Sequence, residues 1–482
     1  MWWVLACPIT PEPADSGDSA PTPSDTAPEE EPAPPPTGAW ATLDGAPADG
    51  LGNALDASGD LNGDGADDLL VAAYLGNRVC AVFAPFPAAQ TPLDSQPAAC
   101  FVGEVDSDYA GYGIAAPGEL TGDGAADLVV GSIGNSDAGT NAGRAYLLAG
   151  PFTAGSASLG TAAYASWTGE TAGDYAGIHL AAAGDLTGDG TVDLLVGASG
   201  YDGEGGGGGR AYLVAGPFER GAHLLGNAYA TVTGLGPPAG APPPPHGAFG
   251  TGDFVGDSQA GAFDFNGDGQ ADLALGASGN QTFAANAGKV AVFFGPIAPG
   301  GWSIEDADGS LFGEAEHSFS GSPLRGVPDL TGEGLDDLLV SADNLGPGVV
   351  YLTSPALGET ALSGSVSRFE GEADGDLFGY ALSRAGDLDG DGALDVVISA
   401  PGSGRTGWET GAVWWFAGPF MPGILPVAEA AAVDGAEEGE SFGSSLDLVG
   451  DLTADGLPEL AVGARTNDAN GGFAGRVYLF SL

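Results

Sequence analysis

The sequence is poor in basic residues and has no long apolar run. It contains 11 Lys and Arg against 65 Asp and Glu, a formal net charge of −54 over 482 residues. Because nucleic acids and anionic lipid surfaces are bound through basic patches, this balance argues against both as partners. Beyond the first seven residues, no stretch is long and apolar enough to be a membrane-spanning helix.

Histidine and helical periodicity are also scarce. The four His residues (179, 223, 246 and 317) are scattered, and no two have the spacing of metal ligands. A catalytic triad would have to be assembled by the fold, because nothing local supports one. Long segments rich in Glu, Lys, Leu and Arg are absent, whereas 86 Gly and 43% hydrophobic residues favour short strands and tight turns.

The three Cys residues predict two different features. Cys80 and Cys100 lie in consecutive predicted strands, which can bring two cysteines within disulfide reach; two buried free thiols are the alternative. Cys7 ends the run Val4-Leu5-Ala6-Cys7, which resembles a bacterial lipoprotein processing site and predicts lipidation at Cys7. This run lacks a basic n-region and is short, so an accidental Cys in a terminal tail is the alternative.

The chain begins with a segment of different composition. Residues 1–7 are interpreted as a lipoprotein-type signal remnant, and residues 8–38 are rich in Pro, Asp, Glu, Ser, Thr and Ala. Such a composition cannot bury a core and predicts a disordered, extended linker. Together these segments predict an exported protein, either extracellular or tethered to a bacterial cell envelope as an outer-membrane lipoprotein.

One acidic loop is repeated seven times in the rest of the chain. Its pattern is Asp-x-(Asn/Thr/Asp)-Gly-Asp-Gly-x-x-Asp, and the copies begin at residues 60, 119, 185, 264, 329, 387 and 451. A Gly precedes each copy by eight residues, and an apolar run follows it. The spacings of 58 to 79 residues accommodate four short strands per copy. The repeat therefore predicts an all-β protein, a seven-bladed β-propeller of four-stranded antiparallel blades over residues 39–482.

The predicted ring needs a way to join its first and last blades. The seventh copy ends after its third strand, at residues 475–480, and the chain stops two residues later. A candidate for the missing fourth strand is Trp40-Ala-Thr-Leu-Asp44, which precedes the first copy as fourth strands precede the others. We expect this N-terminal strand to close blade seven and to hide its edge.

The repeat resembles the FG-GAP repeat of integrin α-subunit N-terminal propellers. The Phe-Gly element is literal at Phe378-Gly379 and Phe442-Gly443 and degenerate in the other copies, and a Gly-Ala-Pro-like element appears as Ser399-Ala400-Pro401. The resemblance covers about 90% of the chain. It implies cation loops on one face of the propeller, ligand recognition on the other, and calcium in only some blades.

The acidic loop predicts a calcium site, because alternate positions 1, 3, 5 and 9 present oxygens to a hard cation. Up to seven Ca²⁺ ions are expected; an Asx-turn without metal is the alternative. The glutamates of copies two, five and seven, and Ala454 in place of a loop Gly, depart from the pattern. The predicted ligands are Asp60, Asn62, Asp64 and Asp68; Glu119, Thr121, Asp123 and Asp127; Asp185, Thr187, Asp189 and Asp193; Asp264, Asn266, Asp268 and Asp272; Asp329, Thr331, Glu333 and Asp337; Asp387, Asp389, Asp391 and Asp395; and Asp451, Thr453, Asp455 and Glu459.

The functional prediction is a non-catalytic, monomeric binding or adhesion module for a protein or glycan partner. Two long loops, 205–209 and 236–246, are expected on the face opposite the cation loops, where insertions carry recognition or are simply tolerated. Trp408, Trp414 and Trp415 are interpreted as packing residues rather than a sugar platform. The alternatives are a hydrolase or lyase with its site at the mouth of the central channel, and a purely structural envelope component.

Overall fold

The computed structural model describes residues 38–56, 59–203, 207–236, 252–354, 358–453 and 455–481. Residues 1–37, with Cys7 and most of the predicted linker, Ala454, and residues 205–206 and 237–246 of the two long loops, with His246, lie outside these residues. The described strands form seven sheets, and neighbouring sheets pack against each other around a closed ring. The predicted seven-bladed propeller is confirmed.

The chain begins with β1 (Ala39–Asp44) and then repeats one unit of strands. Units one and two contain β2 (Leu51–Asp56), β3 (Leu69–Ala73), β4 (Arg78–Val82), β5 (Gln90–Pro92) and β6 (Ala98–Val102), then β7 (Ala110–Gly118), β8 (Asp127–Ser132), β9 (Arg144–Leu148), β10 (Gly155–Ser158) and β11 (Ala165–Thr168). Units three and four contain β12 (Leu180–Gly184), β13 (Asp193–Ala198), β14 (Arg210–Val214), β15 (Gly221–Leu224) and β16 (Ala230–Thr233), then β17 (Gln259–Phe263), β18 (Asp272–Ala277), β19 (Lys289–Phe293), β20 (Gly300–Ser303) and β21 (Gly309–Phe312).

The remaining units follow the same order, with five strands in unit five, four in unit six and three in unit seven. Unit five contains β22 (Leu324–Val327), β23 (Asp337–Ala342), β24 (Val349–Thr353), β25 (Gly358–Ala361) and β26 (Ser367–Glu370). Units six and seven contain β27 (Val396–Ala400), β28 (Ala412–Phe416), β29 (Gly423–Pro426) and β30 (Ala431–Asp434), then β31 (Phe442–Val449), β32 (Glu459–Ala464) and β33 (Arg476–Phe480). Helical turns are short: α1 (Leu159–Ala162) and the 3₁₀ turns Leu93–Ser95, Leu225–Asn227, Ile304–Asp306, Leu362–Gly364 and Val427–Glu429. None of the described helices is long and apolar enough to cross a membrane.

The prediction of four strands per blade was incomplete. Six blades have a fifth, outermost strand, which pairs in parallel with the fourth strand and comes from the next unit along the chain. We call these six strands, β5, β10, β15, β20, β25 and β29, the clasp strands. They are three or four residues long and partly exposed, so they carry no alternating apolar pattern that would predict a strand.

The core lies between blades rather than inside any one of them. The second strand of each blade, for example β3 or β13, is buried at every residue, because its two faces pack against two neighbouring blades. Blades approach most closely where two glycines meet. Gly177 has φ +87°, and a Cβ on Gly131 would collide with its carbonyl group. The Gly that precedes each acidic loop is therefore needed for blade stacking.

The ring closes through the N-terminal strand, as predicted. β1 pairs antiparallel with β33, with Asp44 opposite Arg476. The Arg476 guanidinium is fully buried and donates from Nε to Asp44 Oδ1 at 2.5 Å. The ion pair thus joins the two ends of the folded chain inside one sheet.

Candidate functional site

The seven acidic loops emerge on one face of the propeller. Each lies between the first and second strands of its blade, as between β2 and β3 or between β12 and β13. We call this the loop face, and we call the other end, where the second strand turns into the third, the opposite face. All seven loops lie on the same face because every blade repeats the same order and direction of strands.

The first acidic residue of each loop accepts hydrogen bonds from several backbone amides of the same loop. Asp60 Oδ1 accepts from the Gly63 and Asp64 amides at 2.6 and 3.0 Å, and Oδ2 accepts from Gly65 at 2.7 Å. Asp264 makes the same three bonds in copy four, and Asp329 makes them in copy five. Desolvation acts to raise the pKa of Asp60, but these amide hydrogen bonds outweigh it and lower the pKa. This carboxylate is held ionised at the centre of the loop.

The residue at position 9 anchors the loop to the blade. Asp68 is fully buried, and its Oδ2 accepts from the Leu61 and Asn62 amides at 2.9 and 3.1 Å. Its Oδ1 accepts from Ala84, just beyond the third strand, at 2.9 Å. Equivalent bonds to the end of the third strand are made by Asp127, Asp193, Asp272 and Asp395.

Burial raises the pKa of the carboxyl group at position 9. Desolvation raises the pKa of Asp68 to about 6, and it raises the pKa of Asp272 to about 6 as well, against the lowering effect of the backbone amides. The carboxyls of Asp127, Asp193, Asp337, Asp395 and Glu459 have pKa values raised by the same cause. A nearby cation would favour the ionised form of each.

Three loops bring carboxylate oxygens to within 4.8 Å of one another. The groups are Glu119, Asp123 and Asp127 in copy two; Asp387, Asp389 and Asp395 in copy six; and Asp451, Asp455 and Glu459 in copy seven. Each combines two residues near the loop surface with a buried one at position 9. An all-oxygen set of this charge fits Ca²⁺, because hard cations take carboxylate and carbonyl ligands.

In the other four loops, hydrogen bonds between polar side chains hold the candidate ligands in place. Asn62 Nδ2 donates to Asp64 Oδ2 at 3.0 Å, and Asn266 makes the same bond to Asp268 at 3.1 Å. In copy three the Thr191 hydroxyl donates to Asp189 Oδ1 at 2.6 Å. In copy five Thr331 donates to Asp337 at 3.3 Å. These contacts link neighbouring side chains of loops one, three, four and five and leave polar oxygens near the loop surface.

A second repeated acid was missed by the sequence analysis. It lies eleven residues before six of the seven loops, with Ser318 at this position in copy five, and it caps the connection between blades on the opposite face. Asp108 Oδ2 accepts from the Glu104 and Val105 amides at 2.7 and 3.0 Å. Asp174 accepts from Glu170 and Thr171 in the same way. The constant spacing was the signal available in the sequence, and Asp49, Asp253, Asp376 and Glu440 occupy the same position.

Five of the basic residues form ion pairs within the fold. Arg78, Arg144, Arg210, Lys289 and Arg476 begin the third strand of five blades, and each pairs with a carboxylate. Their ion pairs join the strand to neighbouring segments. These five basic side chains are therefore committed to contacts within the fold.

The central channel holds a cluster of charges from four blades. Arg384 donates to both carboxylate oxygens of Asp447, and its Nη2 also lies 2.7 Å from Asp56 Oδ1. Arg325 donates to Asp447 Oδ1 at 3.0 Å. Desolvation followed by the nearby Asp447 charge raises the pKa of Asp56. These residues line a cavity of about 550 Å³, together with His179, whose pKa burial lowers to about 4.

The opposite face exposes apolar side chains on several turns. Trp408 is 68% exposed between β27 and β28, Phe283 is 60% exposed between β18 and β19, and Phe473 is 54% exposed between β32 and β33. The interpretation of Trp408 as a packing residue was therefore wrong, because the turn carries it beyond the sheet. Trp414 is fully buried and Trp415 half-buried, as expected for packing residues.

Cys80 and Cys100 lie directly opposite each other on β4 and β6 and form a disulfide in the structure. His223 and His317 are the two other His residues in the described part of the chain. His223 stacks on Trp167, and His317 lies 3.3 Å from Asn286 Nδ2.

The fold and its seven acidic loops define a class, the repeat-built β-propellers with loop sites on one face. Within this class, residues 176–214, 255–293, 378–414 and 442–480 match the family model of the FG-GAP repeat. The chain thus contains four FG-GAP repeats and has homologues among the integrin α subunits, which confirms the predicted resemblance.

Similar proteins include three integrin α chains. Integrin alpha-PS2 of Drosophila melanogaster is 30% identical over 221 residues, 42% of this chain and 15% of its own length. Integrin alpha-IIb of Mus musculus is 34% identical over 164 residues, 32% and 16% of the two chains. Integrin alpha-PS5 of Drosophila melanogaster is 40% identical over 97 residues, 20% and 9%. The chain spans less than a fifth of these relatives.

Proposed function

We propose that the protein is a calcium-binding, non-catalytic propeller that binds a protein or glycan partner through its opposite face. The observation that carries the calcium assignment is the convergence of three carboxylates in each of copies two, six and seven. In copy six the predicted set Asp387, Asp389, Asp391 and Asp395 is entirely anionic. We expect this loop to bind most tightly, because affinity rises with ligand charge.

The proposed role of calcium is structural. In six copies the carboxylate at position 9 accepts a hydrogen bond from the end of the third strand, so an ion bound to it would join the first, second and third strands of one blade. It would also offset the repulsion among acidic residues that a chain of charge −54 must overcome. All seven predicted ligand sets are proposed as sites, with copies two, six and seven the best supported.

Calcium titration followed by thermal unfolding tests this proposal. A ligand that binds only the folded state at 100 times its dissociation constant stabilises it by about 2.7 kcal/mol per site. We expect the unfolding midpoint to rise with Ca²⁺, to fall with EDTA and to respond less to Mg²⁺. An unchanged midpoint with both calcium and chelator would exclude a structural calcium role.

A charge-matched pair of variants separates ligation from general charge screening. Asp387→Asn removes one negative charge from loop six, and Asp374→Asn removes one from an exposed position on the opposite face. Only Asp387→Asn should lower the number of calcium ions bound, measured by calorimetry. An equal loss in both variants would mean that calcium acts through bulk electrostatics.

The proposed recognition surface is the opposite face. Its exposed Trp408, Phe283 and Phe473 project from turns of three blades, and aromatic anchors on rigid scaffolds carry much of the energy of protein and glycan interfaces. A glycan array and a surface-protein panel test this. Trp408→Ala should weaken any binding found by at least about tenfold, because hot-spot truncations cost 2 kcal/mol or more. Binding that survives Trp408→Ala, Phe283→Ala and Phe473→Ala together would exclude this face.

An enzyme with its site in the channel is the second candidate. The observation that favours it is Asp56, whose raised pKa suits an acid–base group beside Arg384. A screen of glycosidase, phosphatase and lyase substrates tests this candidate. Turnover that Asp56→Asn abolishes without changing the unfolding midpoint would support it, and no turnover on any class would leave the binding role.

We further propose that the protein is exported and monomeric. Residues 1–7 would act as a signal remnant with lipidation at Cys7, and residues 8–38 as a linker to a bacterial envelope. The Cys80–Cys100 disulfide supports an oxidising compartment. Mass spectrometry of the mature N-terminus would identify a lipid on Cys7, and an unmodified Cys7 in membrane-free fractions would remove the anchor.

A further inference from the structure

No described strand covers the outer edge of blade six. In each of the other six blades, the fourth strand is covered by a parallel clasp strand. Within the described part of the chain, β30 has no such partner, and its sheet contains only β27, β28 and β30. β30 is correspondingly exposed at Ala431 and Ala432, whereas the equivalent strand β11 of blade two is fully buried.

The apolar face beside this edge also has no cover from the described part of the chain. In blade two, Leu147, Ala165 and Trp167 are buried under Leu225 and Phe218 of the next unit. The equivalent residues of blade six are Trp415, Ala431 and Val433, which are all partly or fully exposed. Within the described residues, blade six thus presents an apolar surface next to a row of backbone hydrogen-bonding groups.

Topology identifies the segment that would cover them. Every clasp strand lies between the third and fourth strands of the next unit. The fourth strand of blade seven is β1, so its clasp strand would lie just before Ala39. We infer that residues Glu31–Pro34 form the seventh clasp strand, parallel to Ala431–Asp434 on blade six.

The spacing in the chain between a clasp strand and the fourth strand that follows it leaves three possible registers for the seventh clasp strand. The last clasp residue precedes the last residue of the fourth strand by 8 to 10 positions, as Pro426 precedes Asp434 and Pro92 precedes Val102. Counted back from Asp44, it is residue 34, 35 or 36, and all three are Pro. A Pro at this place has precedent in Pro92 and Pro426, each the last residue of its clasp strand.

Hydrogen bonding selects one register. The first clasp residue donates its amide to the fourth strand, as in Gly221 to Tyr164 O at 3.0 Å and Gly423 to Val366 O at 3.0 Å. In a parallel pair the third residue donates as well, while the second and fourth point away. Only residues 31–34 supply an N–H at both donating positions, Glu31 and Ala33, with Pro32 and Pro34 facing outward.

The next residue, Pro35, falls where Leu93 and Leu159 are buried in the first two units. It would lie over Trp415 and Val433, an aromatic-lined apolar surface of the kind that binds proline rings. Because the segment is joined to β1 through four residues, its effective concentration at the edge is high. This shortens the linker proposed above to residues 8–30, and it makes the N-terminal segment hold two blades instead of one.

Amide hydrogen exchange on the full chain tests the inference. We expect Ala432 and Ala33 to be protected in the wild type. Ala33→Pro removes a donor and should accelerate exchange at Ala432 at least about tenfold, since a hydrogen bond contributes about 1 kcal/mol and two are disturbed. Pro32→Ala is the matched control and should leave exchange unchanged, because its N–H faces solvent.

Each other outcome overturns the inference. Rapid exchange at Ala432 in the wild type would mean that the edge is open. Protection that persists in Ala33→Pro would mean that a second copy or another partner covers it. Equal loss in Ala33→Pro and Pro32→Ala would mean that the register is wrong.

Discussion

The ion pair between Arg476 and Asp44 gives the sharpest test of ring closure. Arg476 lies on β33 near the C-terminus and Asp44 on β1 near the N-terminus, separated by 432 residues in the chain. Both side chains are buried, and Gln90 of the first clasp strand donates to Asp44 Oδ2 at 2.8 Å. Arg476→Met keeps the length of the aliphatic stem and removes the charge, so it leaves the Asp44 carboxylate buried without its partner.

The expected cost is large compared with that of a surface substitution. Removing one partner of a buried ion pair destabilises a protein by about 3–5 kcal/mol, mostly through the desolvated charge left behind. In the double variant Asp44→Asn and Arg476→Met, the remaining amide is neutral and can still accept from Gln90. We therefore expect the double variant to recover about 2 kcal/mol of the loss.

Urea unfolding midpoints measured in saturating calcium provide the assay. Arg220→Met is the control, because Arg220 is exposed and its guanidinium lies 4.2 Å from the centre of the Tyr164 ring, a contact that contributes up to about 1 kcal/mol. A loss in Arg476→Met no larger than in Arg220→Met would refute the reasoning. So would a double variant less stable than Arg476→Met, because the buried carboxylate could not then be the cause.

The remaining predictions concern the disulfide and pH. Cys80→Ser with Cys100→Ser should lower the free energy of unfolding by about 3 kcal/mol, since the bond closes a loop of 20 residues; an equal midpoint in oxidised and reduced wild-type protein would contradict this. In EDTA, stability should rise as the pH falls from about 7 to about 5. Burial raises the pKa of Asp68 and Asp272 to about 6, so the folded state binds their protons more tightly than the unfolded chain and loses this stabilisation above that pH. Thermal melts across this range with and without calcium measure it, and stability that falls on acidification in EDTA would contradict the assignment.

The local repeat predicted most of the architecture. Seven copies of one loop, each with an apolar run after it and a Gly eight residues before it, are sufficient for a ring of similar sheets, and Trp40–Asp44 was recognised as the closing strand. The clasp strands were not recognised, because they are short and half-exposed and pair with a different blade. Their parallel partners come from another unit, so no local pattern of alternation marks them.

The candidate site was likewise only partly predictable from the sequence. Oxygen-bearing side chains at alternate positions of a Gly-rich loop are a local property, so the sequence alone determined which residues of each copy are candidate ligands. The fold decided that position 9 is buried and bonded to the third strand, as Asp68 is to Ala84, because that contact needs a strand 16 residues away. It also decided that Arg384 and Asp447 meet in the channel and that Trp408 is exposed. These outcomes depend on how seven blades pack around one axis, and packing between distant segments leaves no trace in the spacing of a single repeat.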